Sequence, residues 1–493
     1  MADLFVILGN QLFPCRYLRR FARAQFLMVE DESLCRRLPF HQQKLAFVLA
    51  AMRSHRDRLI ESGMRVRYYG LDEGASLAEA IAETARVAGA ERLVHFETED
   101  RGMARRLAAL ASRLGLEQVV VDSPMFLTPT AASDAYFETA HRPRLADFYR
   151  WQRSSLGVLI ARDGSPVGGR WSFDVENRAR VGADDVLPVV EPVPMTTVAV
   201  ATVAEVATRF ADHPGNASGL WLPTTRPQAL RWLDAFLAER LRGFGRFEDA
   251  MTSRARVVHH SVLSPLLNVG LVTPQEVLTQ TLAHASANDI PLNDLEGFVR
   301  QLIGWREFVR GVYRKHARPM RERNAWQARR RLAATWEQAR TGIPPLDAAL
   351  DGARRYAWNH HIERLMVIAN LMNLCEIAPN EAYRFFMTHY VDAYDWVMVP
   401  NVFGMGLTSD GGIFATKPYI CGSNYLCRMS DHRGGVWCDV VDGLYWRFVL
   451  KHRAMLSKHP RLGMMTAMAE RLEPSRRERL LGAADRFIAE HTR

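Results

Sequence analysis

The sequence predicts an α/β domain with a doubly wound parallel sheet, a long connector and an all-α C-terminal domain, and three observations carry that prediction. Residues 1–125 alternate short apolar runs with amphipathic stretches. Residues 126–225 lose that periodicity and turn rich in Pro, Gly, Thr and Val. Residues 226–493 return to helical spacing almost throughout.

In the first region "LFVILG", "QFLMVED", "MRVRYYGL", "ERLVHFET" and "EQVVVDS" read as strands. Stretches such as "HQQKLAFVLAAMRSHRDRLIESG" between them suit the crossover helices that parallel pairing demands. The first turn, "LGNQLF", lacks the G-x-G-x-x-G of a dinucleotide site, so this domain is read as a structural module or as the holder of a small aromatic ligand at its strand ends. In the second region "LPVVEPVPMTTVAV" looks like connecting chain, whereas "GGRWSFDVENR" is too dense in Trp, Phe, Asp and Asn for a passive linker. In the third, "TRPQALRWLDAFLAERL", "TPQEVLTQTLAHA", "LEGFVRQLIGWREFVRGVYRKH" and "EAYRFFMTHYVDAYDWV" are amphipathic helices.

Composition narrows the function classes. With 493 residues the chain can bury a large core, and no apolar run of about 18 residues exists to span a bilayer. The start, "MADLFVILGNQLFP", reads as a first strand rather than a signal peptide, and the six cysteines form no C-x-x-C pair. Reduced thiols in a soluble cytoplasmic protein are expected. A formal net charge of +10 favours a polyanionic partner, with nucleic acid as the first candidate.

Several segments carry chemistry. "YAWNHHIERLM", residues 356–366, sets two histidines side by side in what reads as a helix. Consecutive helical positions point about 100° apart, so His360 and His361 address different targets, while His361, Arg364 and Leu365 share a face. A helical zinc site spaces its histidines three or four apart, and no further His or Cys stands nearby in sequence, so no metal site is expected. In "HHSVLSPLLNVGLVTP", Ser261 and Ser264 stand where hydroxyls and free N–H groups could hold phosphate or simply cap a helix. "FVRQLIGWREFVRGVYR" sets Arg300, Trp305, Arg306 and Arg310 on one helix, suited to an anion and a flat ring, or to a solvated basic face over a core tryptophan.

Taken in order along nearly the whole chain, "PVGGRWSFDVENR", "HSVLSPLLNVGLVTP", "EGFVRQLIGWREFVRGVY", "HHIERLM", "DAYDWVMVPN" and "DGGIFATKPY" resemble the cryptochrome/photolyase family. The nearest likeness is to its prokaryotic branch of (6-4) photolyases and iron–sulfur cryptochromes. The resemblance implies FAD held in a U shape in the helical domain and UV-damaged DNA as partner of a monomeric enzyme. The reaction implied is light-driven repair of (6-4) photoproducts by electron transfer from reduced FAD; a flavin photoreceptor without repair is the alternative. By the same resemblance Ser261, Leu263 and Ser264 match the flavin phosphate motif, and Glu296, Arg300 and Trp305 the helix of the cofactor and lesion pocket. Arg364 pairs with Asp392 or Asp395 over the isoalloxazine, and Asn401 is the neighbour of flavin N5. His361 is the proton donor, and His360 lines the cavity beside it. Arg306 and Arg310 are the candidate DNA contacts. Glu30, His41 and Lys44 fall where relatives bind a 6,7-dimethyl-8-ribityllumazine antenna.

The chain departs from the pattern in two places. Pro345, Arg433 and Val436 stand where the branch carries cluster cysteines, and Cys375, Cys421, Cys427 and Cys438 have the wrong spacing, so no [4Fe–4S] cluster is expected. Met405, Phe385 and Phe386 replace the aromatic relay of relatives, which leaves Trp336 as the electron-transfer residue expected nearest the flavin.

Overall fold

A computed structural model describes residues 2–140, 142–415, 417–458 and 463–493. Five strands, β1 (Asp3–Val6), β2 (Gln25–Val29), β3 (Arg65–Tyr69), β4 (Arg92–Phe96) and β5 (Glu117–Val121), form one sheet in the order β3-β2-β1-β4-β5, every pair parallel. The five apolar runs thus become the five strands. The chain winds outward from β1 to β3 and then crosses back to β4, so a crevice opens beyond the carboxyl ends of the strands at this switch point.

The helix Gln42–Glu61 is buried along most of its length because it lies between the sheet and the helix Thr197–Arg209. Its first turn carries Gln42, Gln43 and Lys44, all buried, and they reach for carbonyls outside the sheet domain. The Gln43 amide donates to Arg355 O at 2.6 Å and the Lys44 ammonium to Ala393 O at 2.6 Å. The helix therefore bolts the α/β domain to the helical one. A second seam joins them through Arg310 and Arg314 of the helix Arg306–Glu322, which pair with Glu97 and Glu99 beyond β4.

The segment read as a connector is more structured than its composition suggests. Thr130–Thr139 and Leu145–Leu156 are helices, and the Phe137 and Phe148 rings pack at a tilt against Phe308, centroids 5.7 and 5.6 Å apart. Those aromatics are spaced too sparsely for a periodic signal, and tertiary burial supplies the order that local pattern lacks. Among the described residues no helix is long and apolar enough to cross a membrane.

Candidate active site

Three π-helical turns, Arg300–Trp305, Glu363–Ala369 and Val399–Gly406, converge on one place in the helical domain. Such turns insert a residue into a helix at the cost of poorer hydrogen bonds, re-aim its side chains, and recur at functional sites. Here they help wall an inner cavity of about 320 Å³ and an outer basin of about 880 Å³. Gln301, His361, Leu365, Asp392, Asn401 and Met405 line both, so the two volumes are continuous.

The histidine segment is not one helix. Pro344–Tyr356 stops at Ala357, which adopts a left-handed φ of 51°, and helical structure resumes only at His361. His360 is therefore released from the angular rule that would separate it from its neighbour, and both rings face the same space. His260 joins them: its ring stacks on His360 with centroids 4.8 Å apart and planes at 11°, and meets His361 edge-on at 5.6 Å. This corrects the expectation that the two rings face apart, and it brings in a third histidine that stands a hundred residues away in sequence. The ligand nitrogens of the three lie within 4.8 Å of one another, but parallel rings aim their lone pairs side by side rather than at one tetrahedral centre.

The three differ in charge preference. Burial, then His361 and Arg364, depress His360 well below the ordinary histidine value, and burial with the neighbouring imidazoles does the same to His260. Both are neutral, and His260 Nε2 and His360 Nδ1 are buried without a protein partner. Burial acts downward on His361 too. The hydrogen bond to Asp249 at 3.3 Å and the carboxylates of Asp249 and Glu248 outweigh it, so its pKa lies above the ordinary value. About half of the His361 side chain, 48%, remains open to the cavity. Behind His360 sits Glu363, its carboxyl pushed up to about 7 by burial.

Arg364 donates to Asp392 at 2.8 and 3.2 Å and lies over the Tyr390 ring. Asp392 also accepts the Ser264 hydroxyl at 2.6 Å and stays below the usual carboxylate range despite burial, through Arg364 and Ser264. Asp395 is not the partner of Arg364: its carboxylate takes hydrogen bonds from Tyr313, Tyr383 and Arg321.

Comparison with known proteins decides the family. The chain is 30% identical over 507 aligned residues to a (6-4) photolyase of Agrobacterium fabrum, covering 99% of each. The chain belongs to the cryptochrome/photolyase family. Residues 5–221 match the family described as deoxyribodipyrimidine photo-lyase-related protein, and residues 297–421 match the FAD binding domain of DNA photolyase. The fold is similar to that of a bacterial class III photolyase from Agrobacterium tumefaciens (TM-score 0.58, 18% identity, 99% of this chain and 98% of that one). It is also similar to a cryptochrome from Synechocystis (TM-score 0.58, 14% identity, the same coverage).

Within this photolyase fold the expected site residues sort by position. Ser261, Leu263, Ser264, His360, His361, Arg364, Asp392 and Asn401 all line the inner cavity. Ser264 is committed to Asp392 rather than left for phosphate, and Asn401 donates to Val397 O at 2.8 Å, leaving its side-chain oxygen available. Trp305 and Arg300 line only the basin. Glu296 lines neither: it is fully buried, accepts the Phe173 N–H at 3.0 Å and stands 3.4 Å from Arg300, so it positions that arginine.

Four expectations need correction. Arg310 is buried between Glu99 and Thr128, away from the basin; Arg306 does line the basin, but its guanidinium is engaged by Asn268 and Met125 O, with burial pushing its pKa down to about 10. A basic helix face can as well serve a domain seam as DNA, and spacing does not distinguish them. Trp336 is fully buried but its indole donates to His491 O, away from the cavity, whereas Trp358 lines it. His41 caps its helix through Nδ1 and meets Arg354 O at 2.8 Å through Nε2, so it belongs to the domain seam. The remaining antenna candidates, Glu30 and Lys44, do line a cavity of about 230 Å³ at the carboxyl ends of β1, β2 and β4. Glu30 is there a wall, saturated by Arg53, Tyr68 and the Leu71 N–H.

Sequence reasoning missed Asp249, Glu248 and the basic rim of the basin, Arg178, Arg180, Lys417 and Arg428. The rim had a signal: "GGRWSFDVENR" stands out from the linker and ends in Arg178.

Proposed function

We propose that the protein is a monomeric DNA photolyase that repairs (6-4) pyrimidine photoproducts under light, with FAD in the inner cavity. The observation that carries the reading is His361, placed where the cavity meets the basin, open to both, and held on the protonated side by Asp249 and Glu248. The inner cavity suits a flavin nucleotide: His260 Nε2 and His360 Nδ1 are buried without partners, and the Arg364–Asp392 pair is fixed beside them. Arg364, Asp392 and Asn401 would hold the ring system, and Ser261 and Leu263 the phosphate side. When bound and reduced, FAD supplies the light-driven electron.

The chain's own residues do the rest. Arg178, Arg180, Lys417 and Arg428 at the rim draw in DNA phosphates. Trp305 and Tyr419 offer ring surfaces to an extruded lesion, since chemistry on a stacked base is otherwise out of reach. His361 holds a proton at the basin floor and delivers it where negative charge develops, before the electron can return. His360 is kept neutral and keeps a second positive charge out of the same space.

Two finer points belong to this reading. The cavity beside Lys44 would take 6,7-dimethyl-8-ribityllumazine: its apolar walls suit a flat ring, and Asn10 and Asp100 provide polar groups at its edge. Excitation spectra after expression in a lumazine-producing host test this, and flavin features alone would remove the antenna. The protein also works without a [4Fe–4S] cluster, since Pro345, Arg433 and Val436 supply no thiolate and Cys421 lies against the Asn370 amide. Stoichiometric iron would overturn that.

The deciding experiment illuminates pre-reduced protein with duplexes carrying a (6-4) or a cyclobutane lesion. Repair of the (6-4) lesion that vanishes in His361→Ala, with FAD content and damaged-DNA affinity unchanged, is expected, because the lost contact acts only along the reaction path. Absence of repair by the wild type would shift the assignment to a photoreceptor.

A further inference from the structure

A second basic open groove lies at the other end of the sheet. At the amino ends of β1, β2 and β3 a groove of about 1020 Å³ is lined by Arg19, Arg20, Arg23, Arg65 and Arg67. All five are exposed. The rim carboxylates are already engaged: Asp3 by Arg92 at 2.6 Å, Glu83 by the Tyr69 hydroxyl at 2.9 Å, and Glu73 by Arg67 at 2.6 Å. Among the described residues Arg19, Arg20, Arg23 and Arg65 form no ion pair. Arg65 instead donates to the carbonyl of Arg23, which ties the two segments into one surface.

Edge-strand protection accounts for part of this. β3 is one of the sheet's two outer strands, and charged side chains at alternate positions such as Arg65 and Arg67 deter pairing with another chain. It does not account for Arg19, Arg20 and Arg23, which precede β2, an interior strand. The groove also lacks the features that read an individual ligand. Phe21 packs inward on Phe5 at 5.1 Å, and Val87 is the one large apolar side chain of the lining that is strongly exposed, at 71%. A protein partner would require a buried aromatic or aliphatic anchor. A free nucleotide would require a ring pocket or converging buried donors.

We propose that this groove is a second, lesion-independent binding site for the sugar–phosphate backbone of duplex DNA. Guanidinium forks match phosphate oxygens, and a polymer of evenly spaced phosphates can engage several at once, each contact releasing condensed counterions. The site goes beyond the repair reading: it works in the dark and reads no base. It gives the enzyme a hold on undamaged DNA that leaves the lesion basin free.

The test measures binding of a long undamaged duplex in the dark, at salt from about 50 to 200 mM. Arg19→Gln/Arg20→Gln/Arg23→Gln should reduce the slope of log affinity against log salt by about 2.7, at roughly 0.9 for each of three phosphate contacts. The triple lysine variant should restore most of the slope, because a point charge also releases counterions. FAD content and light-driven repair of a lesion duplex just long enough to fill the basin should match the wild type. An unchanged slope in a folded, FAD-loaded triple variant would overturn the proposal while leaving the repair reading intact. Should the glutamine variant fold poorly, arginine-selective chemical labelling of the wild type decides: undamaged duplex must protect Arg19, Arg20 and Arg23, and equal labelling with and without DNA would sink the idea.

Discussion

Replacing Arg310 with methionine distinguishes a domain strut from a DNA contact in one variant. Its guanidinium is 2% exposed and donates to Glu99 at 2.6 Å and Thr128 O at 2.7 Å, with Thr130 also in reach. Methionine keeps much of the volume but leaves the Glu99 carboxylate, 7% exposed, without its main partner. Breaking a buried ion pair by removing one member costs about 3–5 kcal/mol. The lower half of that range applies, because Arg314 stays 3.4 Å from Glu99 and retains part of the attraction. The thermal midpoint of the unit that melts should fall on the order of 5–10 °C. Meanwhile the salt slope of DNA binding stays that of the wild type, whereas loss of a true phosphate contact lowers it by about 0.9. A stable Arg310→Met protein with a reduced slope would refute the reasoning and return Arg310 to the DNA interface.

Other outcomes follow from the same contacts. Repair should decline as pH rises through the raised pKa of His361, and Asp249→Asn should move that alkaline limb to lower pH, read from pH–rate profiles. His260 and His360 have depressed values, so the unfolded chain binds protons that the folded one does not, and their contribution to stability is lost as pH falls below about 6.5. Lys44 is pushed down to about 7 by burial from an ordinary 10.5, so folding should gain stability as pH rises between those values. Urea midpoints across that range should lose this slope in Lys44→Met. Gly311→Ala would place a methyl 1.9 Å from the Phe137 ring, which Phe148 and Phe308 hold in place. A loss of about 1–3 kcal/mol is expected in melting, with an unchanged flavin spectrum.

The amino-acid sequence by itself determined the fold class. Five apolar runs of strand length separated by helix-length amphipathic stretches have few ways to bury themselves other than a parallel sheet covered by helices. It also determined most of the cavity wall, because Ser261, Leu263, His361, Arg364, Asp392 and Asn401 lie in segments whose order along the chain is distinctive. Only the tertiary structure decided what depends on interruptions of regularity and on remote partners. The left-handed Ala357 ends the helix before His360 and His361 and sets their relative orientation, an interruption that a 3.6-residue period cannot register. Arg310 and Arg178 look alike in one dimension, each a basic residue in a charged stretch. One is buried against Glu99, far away in sequence, while the other stays exposed on the rim, paired only with Asp174 one helical turn before it. Burial and pairing at long range are properties of the packed chain, and they determine whether a charge supports the fold or stays at the surface where a phosphate can reach it.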